Sequence, residues 1–334
     1  MEKRIDSFDV LKCLAIFLVI WGHCIGSLAK AGDGSDAVYR IIYSFHMPLF
    51  MMMSGYFATS SMESAPWPFF KKKFMQLIWP CVVWGGLCWA FLESINSFHY
   101  GNPTFSIGGL LSDFYWLSDF WFLKSCFICY CLAYIGSHLG MKRPYWMFLT
   151  LVISQIMTPF FVSFMYPCFV IGMELRYNRS YFEKVIVHRY LILAVFVMML
   201  FFWNENTWHY SHGVPSGILH ENCSVLAQIA FYRIFRMLIG IVGALGVIAV
   251  ITETLNREKY ANASFLRIPK DWGRYTLDVY ILQAIILERT LSNFITFSDM
   301  NQQLFDFIIA PVLSVVLLAL CVMIAKLLKR SRVH

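Results

Sequence analysis

The sequence predicts an all-α, polytopic membrane protein, and three observations carry that prediction. Of the 334 residues, 59% are hydrophobic and only 14% are charged, whereas a soluble domain has about 25% charged residues. Apolar stretches recur along the whole chain, at about the 20 residues that cross a bilayer as a helix. Basic residues concentrate in alternate loops between those stretches. We therefore expect a single transmembrane domain over residues 1–334.

Ten spans are predicted, in a multi-pass protein of the cell's inner (cytoplasmic) membrane. Pro159 and Pro167 in "MTPFFVSFMYP" interrupt the fifth and sixth, which leaves open two short helices or one re-entrant unit. The longest exterior loop is expected at 204–224. The spans are expected near residues 10–29, 38–58, 74–97, 119–138, 144–161, 162–175, 188–203, 225–251, 273–291 and 303–328.

The loop charges predict that both termini are cytoplasmic. With the N-terminus inside, every alternate loop is basic, while the exterior loops hold only Lys30, Arg40 and Arg289 near span ends. This is the bias of the positive-inside rule. The net charge of +7 is therefore interpreted as a topology signal and not as a nucleic-acid-binding surface.

Neither a metal site nor a disulfide framework is predicted. The C-x-x-C spacing in "CFIC" (126–129) falls inside an apolar span and has no second C-x-x-C partner. His209, His212 and His220 have spacings that match no metal signature, and only Cys223 lies clearly in a loop.

Ionisable side chains inside the spans are the candidate functional groups, because each costs about 2.5–3.5 kcal/mol to insert. Helical rise places most of them at one level in the outer half of the membrane, with Lys12 at the inner end of the first span. They are Lys12, His23, His46, Lys124, Arg233, Arg236, Asp278 and Glu288, with Gln283 as a polar neighbour.

Lys12 and His23 define the expected path through the protein. Eleven residues is close to three helical turns, so both side chains share one face about 16 Å apart. With a cation at the cytoplasmic end and an imidazole deeper on the same helical face, this face is expected to form one wall of a channel. An anionic molecule entering from inside would project its reactive end toward His23.

Four segments resemble the integral-membrane acyltransferase-3 family, in its stand-alone sugar and polysaccharide O-acetyltransferase branch. "DSFDVLKCLAIFLVIWGH" contains a Lys-x10-His like the family's Arg/Lys-x10-His, and "YSFHMPLFMMMSGYF" (43–57) resembles its F-H-M-P-L-F segment. "FWFLKSCF" (120–127) and "GRYTLDVYILQ" (273–283) resemble two further segments. The matches follow one another from the first span to the ninth and cover essentially the whole chain.

The resemblance implies a ten-helix membrane enzyme that takes an acyl group, usually acetyl, from cytoplasmic acyl-CoA, with no metal. The acceptor is usually a sugar hydroxyl on a polysaccharide or lipid-linked glycan of the cell envelope, at or beyond the outer leaflet. A catalytic role carries over to His23 and a partner role to Lys12. Two positions depart from the pattern: Lys12 replaces the commoner Arg, and Gln283 stands where His is frequent.

The two histidines are the candidate catalytic residues. His23 is interpreted as a base that deprotonates the acceptor hydroxyl near neutral pH, or as a transient acyl-imidazole, with helix packing as the structural alternative. His46 would steer the acceptor or the thioester, or would satisfy backbone groups freed by Pro48.

The cations divide into a donor group and an acceptor group. Lys12 would hold a CoA phosphate or reach the inner headgroups, while Lys71, Lys72, Lys73 and Arg274 sit in basic cytoplasmic loops that also attract nucleotide phosphates. Lys124 would stabilise the oxyanion or bridge to Asp119. Arg233, Arg236, Asp278, Gln283 and Glu288 are expected on the acceptor and oxyanion side, with the carboxylates or a substrate anion as counter-ions of the arginines.

A non-enzymatic glycan exporter or flippase is the competing class, since buried charges also line translocation paths. The sequence shows no inverted repeat and one set of buried groups, which favours the enzyme. A haem-bearing electron carrier using His23 and His46 fails, because the remaining membrane histidines are too few and the cationic layer has no role.

Overall fold

The computed structural model describes residues 6–32, 34–87, 90, 120–157, 159–212, 223–256 and 263–331, and the structural statements below concern those ranges. Within them the chain forms helices and no β-strand, which confirms the all-α class. The chain divides into two compact units. The first unit comprises Met1–Met53 and Asn178–His334, and the second comprises Ser54–Tyr177.

A helix lies in the described part of each of the ten predicted spans. Several are continued by short π-helical turns, which matter for the site described below. The helices include α1 (Asp6–His23), α2 (Ala37–Ala58), α3 (Pro66–Lys73), α4 (Trp121–Ser137), α5 (Arg143–Ile156), α6 (Val162–Tyr177), α7 (Arg179–Val187), α8 (Arg189–Leu200), α9 (Glu205–His212), α10 (Cys223–Asn256), α11 (Arg267–Trp272), α12 (Thr276–Gln283) and α13 (Ala310–Ser331).

Three described helical segments are long and apolar enough to cross a membrane. They are Asp6–Leu28, Ala227–Asn256 and Gln302–Lys329, which coincide with the first, eighth and tenth predicted spans. The total of ten spans and the cytoplasmic position of both termini stay predictions.

The fifth and sixth predicted spans are two separate helices. α5 ends at Ile156 and α6 begins at Val162, with a 3-10 turn over Pro159–Phe161 between them. Phe160 and Phe161 have φ angles of 53° and 57°, in the left-handed region that costs roughly 1–2 kcal/mol per residue for L-amino acids. This backbone reversal, and not Pro167 inside α6, separates the two helices.

The first part of the expected exterior segment 204–224 forms a helix. Residues Glu205–His212 form α9, and the side chain of Asn204 accepts a hydrogen bond from the backbone N–H of Thr207 at 3.0 Å. Asparagine is a preferred residue for this capping role. Residues 213–222, including His220, lie outside the described part of the chain.

Helix α1 lies at the centre of the first unit. It packs against α10, α11, α12 and α13 and against the 3-10 turn Gly273–Tyr275. At Gly273 the approach is so close that a Cβ atom would lie 1.8 Å from the backbone oxygen of Asp9. The glycine at the start of "GRYTLDVYILQ" therefore permits direct backbone contact between α1 and the segment that leads into α12.

Replacing Gly273 with alanine is expected to destabilise the first unit by about 3 kcal/mol, because the new methyl group meets backbone that cannot rotate away. Thermal unfolding of the detergent-solubilised protein measures this. Gly86→Ala is the matched control, since no atom lies within 4 Å of a Cβ built there. Equal unfolding temperatures for the two variants would contradict the close contact.

Candidate active site

His23 is the last residue of α1 and is followed immediately by a π-helical turn over Cys24–Leu28. The α-helix is continuous from Asp6 to His23, so the eleven-residue spacing from Lys12 keeps the predicted shared face and a rise of about 16 Å. The imidazole is 24% exposed. Its position at the end of the regular helix gives it access to groups on other segments.

Glu288 is the partner of His23. Nδ1 of His23 donates to Oε1 of Glu288 at 3.0 Å, and the carboxylate side chain is 20% exposed. Glu288 lies within the second π-helical segment of the unit, Ala284–Leu291, and such segments are frequent at functional sites. Because a carboxylate only accepts hydrogen bonds, the pair fixes the proton of neutral His23 on Nδ1 and the lone pair on Nε2.

Gln283 supports the carboxylate from the other side. It is buried, and its Nε2 donates to Oε1 of Glu288 and to the backbone oxygen of Tyr280, each at 3.3 Å. The hydrogen-bonded side chains of His23, Glu288 and Gln283 therefore link α1 to α12 and its π-helical continuation. A glutamine at this position acts as a neutral donor to the carboxylate.

Tyr43 lies between the two histidines and was not singled out from the sequence. Its ring meets His23 edge-on at a centroid distance of 6.2 Å and His46 at 4.7 Å. The ring fits because position 22 is glycine: a Cβ there would lie 2.6 Å from Cε2 of Tyr43. The i, i+3 spacing of Tyr43 and His46 was the available sequence signal, since it puts both on one helical face.

A wall of aromatic side chains continues from Tyr43. Its ring stacks on Tyr39 at 4.1 Å, and both rings contact Trp208 of α9 edge-on at 5.4 and 5.9 Å. Trp208 is buried. Helix α9, which lies within the expected exterior segment 204–224, thus supplies one side chain to the surroundings of His23.

His46 is fully inside the first unit. It is 1% exposed, and Nδ1 donates to the backbone oxygen of Ile42 at 2.7 Å. The carbonyl that loses its donor to Pro48 is that of Ser44, four residues earlier. His46 therefore does not fill the gap that Pro48 leaves, and its Nδ1–H tautomer directs the Nε2 lone pair away from the helix backbone.

Lys12 forms a modest ion pair within α1. Its Nζ lies 3.5 Å from Oδ1 of Asp9, with the lysine side chain 30% exposed and the aspartate 4% exposed. The partly exposed ammonium group of Lys12 lies on the stripe that leads to His23, where its 3.5 Å contact with Asp9 leaves it able to meet a second anion.

Two of the candidate counter-ions of Arg233 and Arg236, Asp278 and Glu288, each contact another basic side chain. Arg233 is exposed and Arg236 is half-buried on α10. Asp278 pairs with Lys329 at 2.8 Å, and Glu288 pairs with His23.

The remaining predicted cations lie in the second unit, except the exposed Arg274. Lys71 and Lys72 are exposed, whereas Lys73 is buried with Nζ 3.6 Å from the centre of the Tyr130 ring. Burial, with a smaller contribution from the Lys72 charge, lowers the pKa of Lys73 to about 8. Lys124 is buried, with Nζ 5.0 Å from the centre of the Phe160 ring; Asp119, its alternative partner, lies outside the described residues.

No group of three or more His, Cys, Asp or Glu side chains suited to a metal ion occurs in the described part of the chain. The contact with Glu288 gives His23 the chemistry of an oriented imidazole: proton transfer or nucleophilic attack through Nε2, with the carboxylate balancing the positive charge that develops.

Comparisons with known proteins give one family. A family model described as an acyltransferase domain matches residues 5–326. Two relatives, each described as nodulation protein NolL, come from Mesorhizobium japonicum and Sinorhizobium fredii and are 24% identical over 302 and 309 residues. These matches cover 85% and 86% of this chain and 77% and 80% of the relatives. No solved structure matches the chain.

Proposed function

Since this chain belongs to the acyltransferase-3 family of membrane acyltransferases, we propose that it moves an acetyl group from cytoplasmic acetyl-CoA to a hydroxyl of a glycan. The acceptor is a polysaccharide or lipid-linked sugar of the cell envelope, at the outer face of the inner membrane. The observation that carries the proposal is the hydrogen bond between His23 and Glu288. It supplies the oriented base that acyl transfer to an alcohol requires.

In this mechanism Nε2 of His23 takes the proton of the acceptor hydroxyl as its oxygen attacks the thioester carbonyl carbon. The tetrahedral intermediate carries the negative charge on the former carbonyl oxygen. When the carbon–sulfur bond breaks, the imidazolium returns its proton to the departing CoA thiolate. Glu288 stabilises the imidazolium between the two proton transfers, and Gln283 holds the carboxylate in place.

A covalent variant uses the same atoms in two steps. Nε2 attacks the thioester and expels CoA as its thiolate. The acceptor oxygen then attacks the acetyl-imidazole, and as the carbon–nitrogen bond breaks the hydroxyl proton passes to Nε2 and from there to the CoA thiolate. The fixed Nδ1 proton serves both variants, because each needs the lone pair on Nε2.

Stabilisation of the oxyanion requires a donor or cation beside the carbonyl oxygen. In the first unit we assign this role to Arg236, which is half-buried on α10, a helix that packs against α1. Arg233, one turn away, adds positive charge to the same helix. Lys124 of the second unit stays a sequence-based candidate for the oxyanion, and His46 one for steering the acceptor.

The donor is proposed to enter from the cytoplasm, in the ten-span topology with both termini inside. Lys12 would attract the phosphates of acetyl-CoA on the α1 face that ends at His23. Arg274 and the lysines 71–73 extend the positive charge of the cytoplasmic side, with Lys73 the least suited because it is buried against Tyr130.

Replacing Lys12 with glutamine is expected to raise KM for acetyl-CoA about tenfold and to leave kcat unchanged, because a charge-assisted phosphate contact is lost without a change at His23. Steady-state kinetics with varied acetyl-CoA measure this. Lys12→Arg, which keeps the charge, should restore KM. A Lys12→Gln variant with the wild-type KM would exclude donor binding by Lys12.

The function is tested by mass spectrometry of surface glycans from cells that carry the wild-type protein or His23→Ala. We expect acetyl esters in the first case and none in the second, with the glycan present at the surface in both. Unchanged acetylation together with lost glycan export would identify a transporter and refute the proposal.

A further inference from the structure

A cavity of about 630 Å³ opens beside the first residue of α1. The start of α1, helix α11, the 3-10 turn Gly273–Tyr275 and helix α13 contribute to it. Its volume lies within the range of small-ligand sites. The lining residues are Asp6, Arg267, Ile268, Lys270, Asp271, Trp272, Arg274 and Lys326.

The cavity has an excess of positive charge. Of its four cations, Lys270 pairs with Asp6 at 3.0 Å and Lys326 pairs with Asp271 at 2.5 Å. Each of the two carboxylates in the lining is thereby neutralised by a lysine. Arg267 and Arg274 are exposed, and no ion pair is found for either within the described part of the chain.

The chemistry of the lining suits a nucleotide with more than one phosphate. Two guanidinium groups bind phosphate oxygens in bidentate fashion, and the two arginines carry the net positive charge of the lining because each lysine pairs with a carboxylate. Trp272 provides a flat aromatic surface of the kind on which bases stack. It also lines an adjoining apolar cavity of about 310 Å³ together with Lys326.

The position of the cavity relates it to the active site. Asp6 is in its wall, and Lys12 and His23 follow on the same continuous helix. From Asp6 to His23 the helix rises about 26 Å, so a ligand that spans this path needs an anionic end and a long flexible arm. Coenzyme A has an adenosine 3′,5′-bisphosphate at one end and its thioester at the other.

We infer that this cavity binds the adenosine 3′-phosphate end of the acyl-CoA donor through Arg267 and Arg274, with the acyl arm directed along α1 past Lys12 to His23. The inference rests on the proposed function for the identity of the donor. It adds a binding site, and it gives Arg267, Lys270 and Lys326 a role that their contribution to topology does not require.

The test uses the full-length protein in nanodiscs of zwitterionic lipid and adenosine 3′,5′-bisphosphate as the probe, with binding measured by calorimetry. We expect Arg267→Gln/Arg274→Gln to weaken binding about tenfold, and the wild type to bind adenosine 5′-monophosphate more weakly than the bisphosphate. Arg179→Gln is the control, because Arg179 is an exposed arginine of the same unit that pairs with Glu183 at 3.1 Å.

The outcomes separate this inference from the proposed function, since the probe carries no acyl group. Bisphosphate binding that depends on the two arginines supports the cavity even in a protein that transfers no acetyl group. Acetyl transfer with unchanged bisphosphate affinity in the double variant overturns the cavity alone. A second series in nanodiscs with phosphatidylglycerol identifies the other phosphate source: if the substitutions weaken only the retention of anionic lipid, the site is a headgroup site and the inference is wrong.

Discussion

Replacing His23 with alanine is expected to lower kcat for acetyl transfer by about 10²–10⁴-fold, the range that a positioned general base contributes. The imidazole is the group whose Nε2 takes the acceptor proton, and its Nδ1 is committed to Glu288 at 3.0 Å. Because the side chain is 24% exposed, its removal should leave the fold intact. Initial rates at saturating acetyl-CoA, together with the elution volume of the solubilised protein, measure both effects.

His209→Ala is the matched control for that result. His209 also lies beside a glutamate, Glu205, at 3.7 Å, but both side chains of this pair are 57% exposed. We expect its kcat to equal that of the wild type. If His23→Ala keeps a rate within twofold of the wild type, the imidazole is not the base.

Replacing Glu288 with glutamine is expected to lower kcat by about 10³-fold, while KM for acetyl-CoA stays within twofold. The change preserves the shape of the side chain and removes its charge. An amide can present its NH₂ group to Nδ1 of His23, which would place the imidazole proton on Nε2 and block the base. The loss of charge also removes the stabilisation of the imidazolium. The same kinetic assay separates kcat from KM.

Glu205→Gln serves as the control for the charge change, since its histidine partner is exposed. A parallel fall in kcat and in thermal stability would mean that Glu288 only holds the helices together. A selective loss of kcat with an unchanged unfolding temperature is the result expected of a residue that orients the base.

Much of the path to His23 follows from local sequence. Helical periodicity over "LKCLAIFLVIWGH" puts Lys12 and His23 on one face, and the structure keeps that helix unbroken from Asp6 to His23. The same reasoning identified Glu288 as an ionisable residue inside a predicted span and placed it at about the same membrane depth as His23. Both conclusions depend only on counting residues along single helices.

The pairing of His23 with Glu288 could not be deduced in this way. The two residues are far apart in the chain, and Glu288 lies in a π-helical segment, Ala284–Leu291, whose extra residue per turn shifts each side chain from the face that a 3.6-residue period predicts. Contacts between segments, such as Gly273 on the backbone of Asp9, decide which faces meet.

The basic cavity shows the same limit. In the sequence, Arg267 and Lys270 are two more basic residues of an expected cytoplasmic loop and Arg274 is one of several candidate donor contacts, since positive loops look alike in sequence. Their arrangement around Trp272 and Lys326 depends on how α11 and α13 approach the start of α1, which no local pattern encodes.

The most direct test of the central claim is a single-turnover reaction of purified protein with [1-¹⁴C]acetyl-CoA and a glycan acceptor in sealed vesicles. We predict that label appears as an ester on the glycan, with one CoA thiol released for each ester, and that Glu288→Gln slows both events together. Movement of the glycan across the vesicle membrane with no ester formed and no CoA released would contradict acyl transfer at His23.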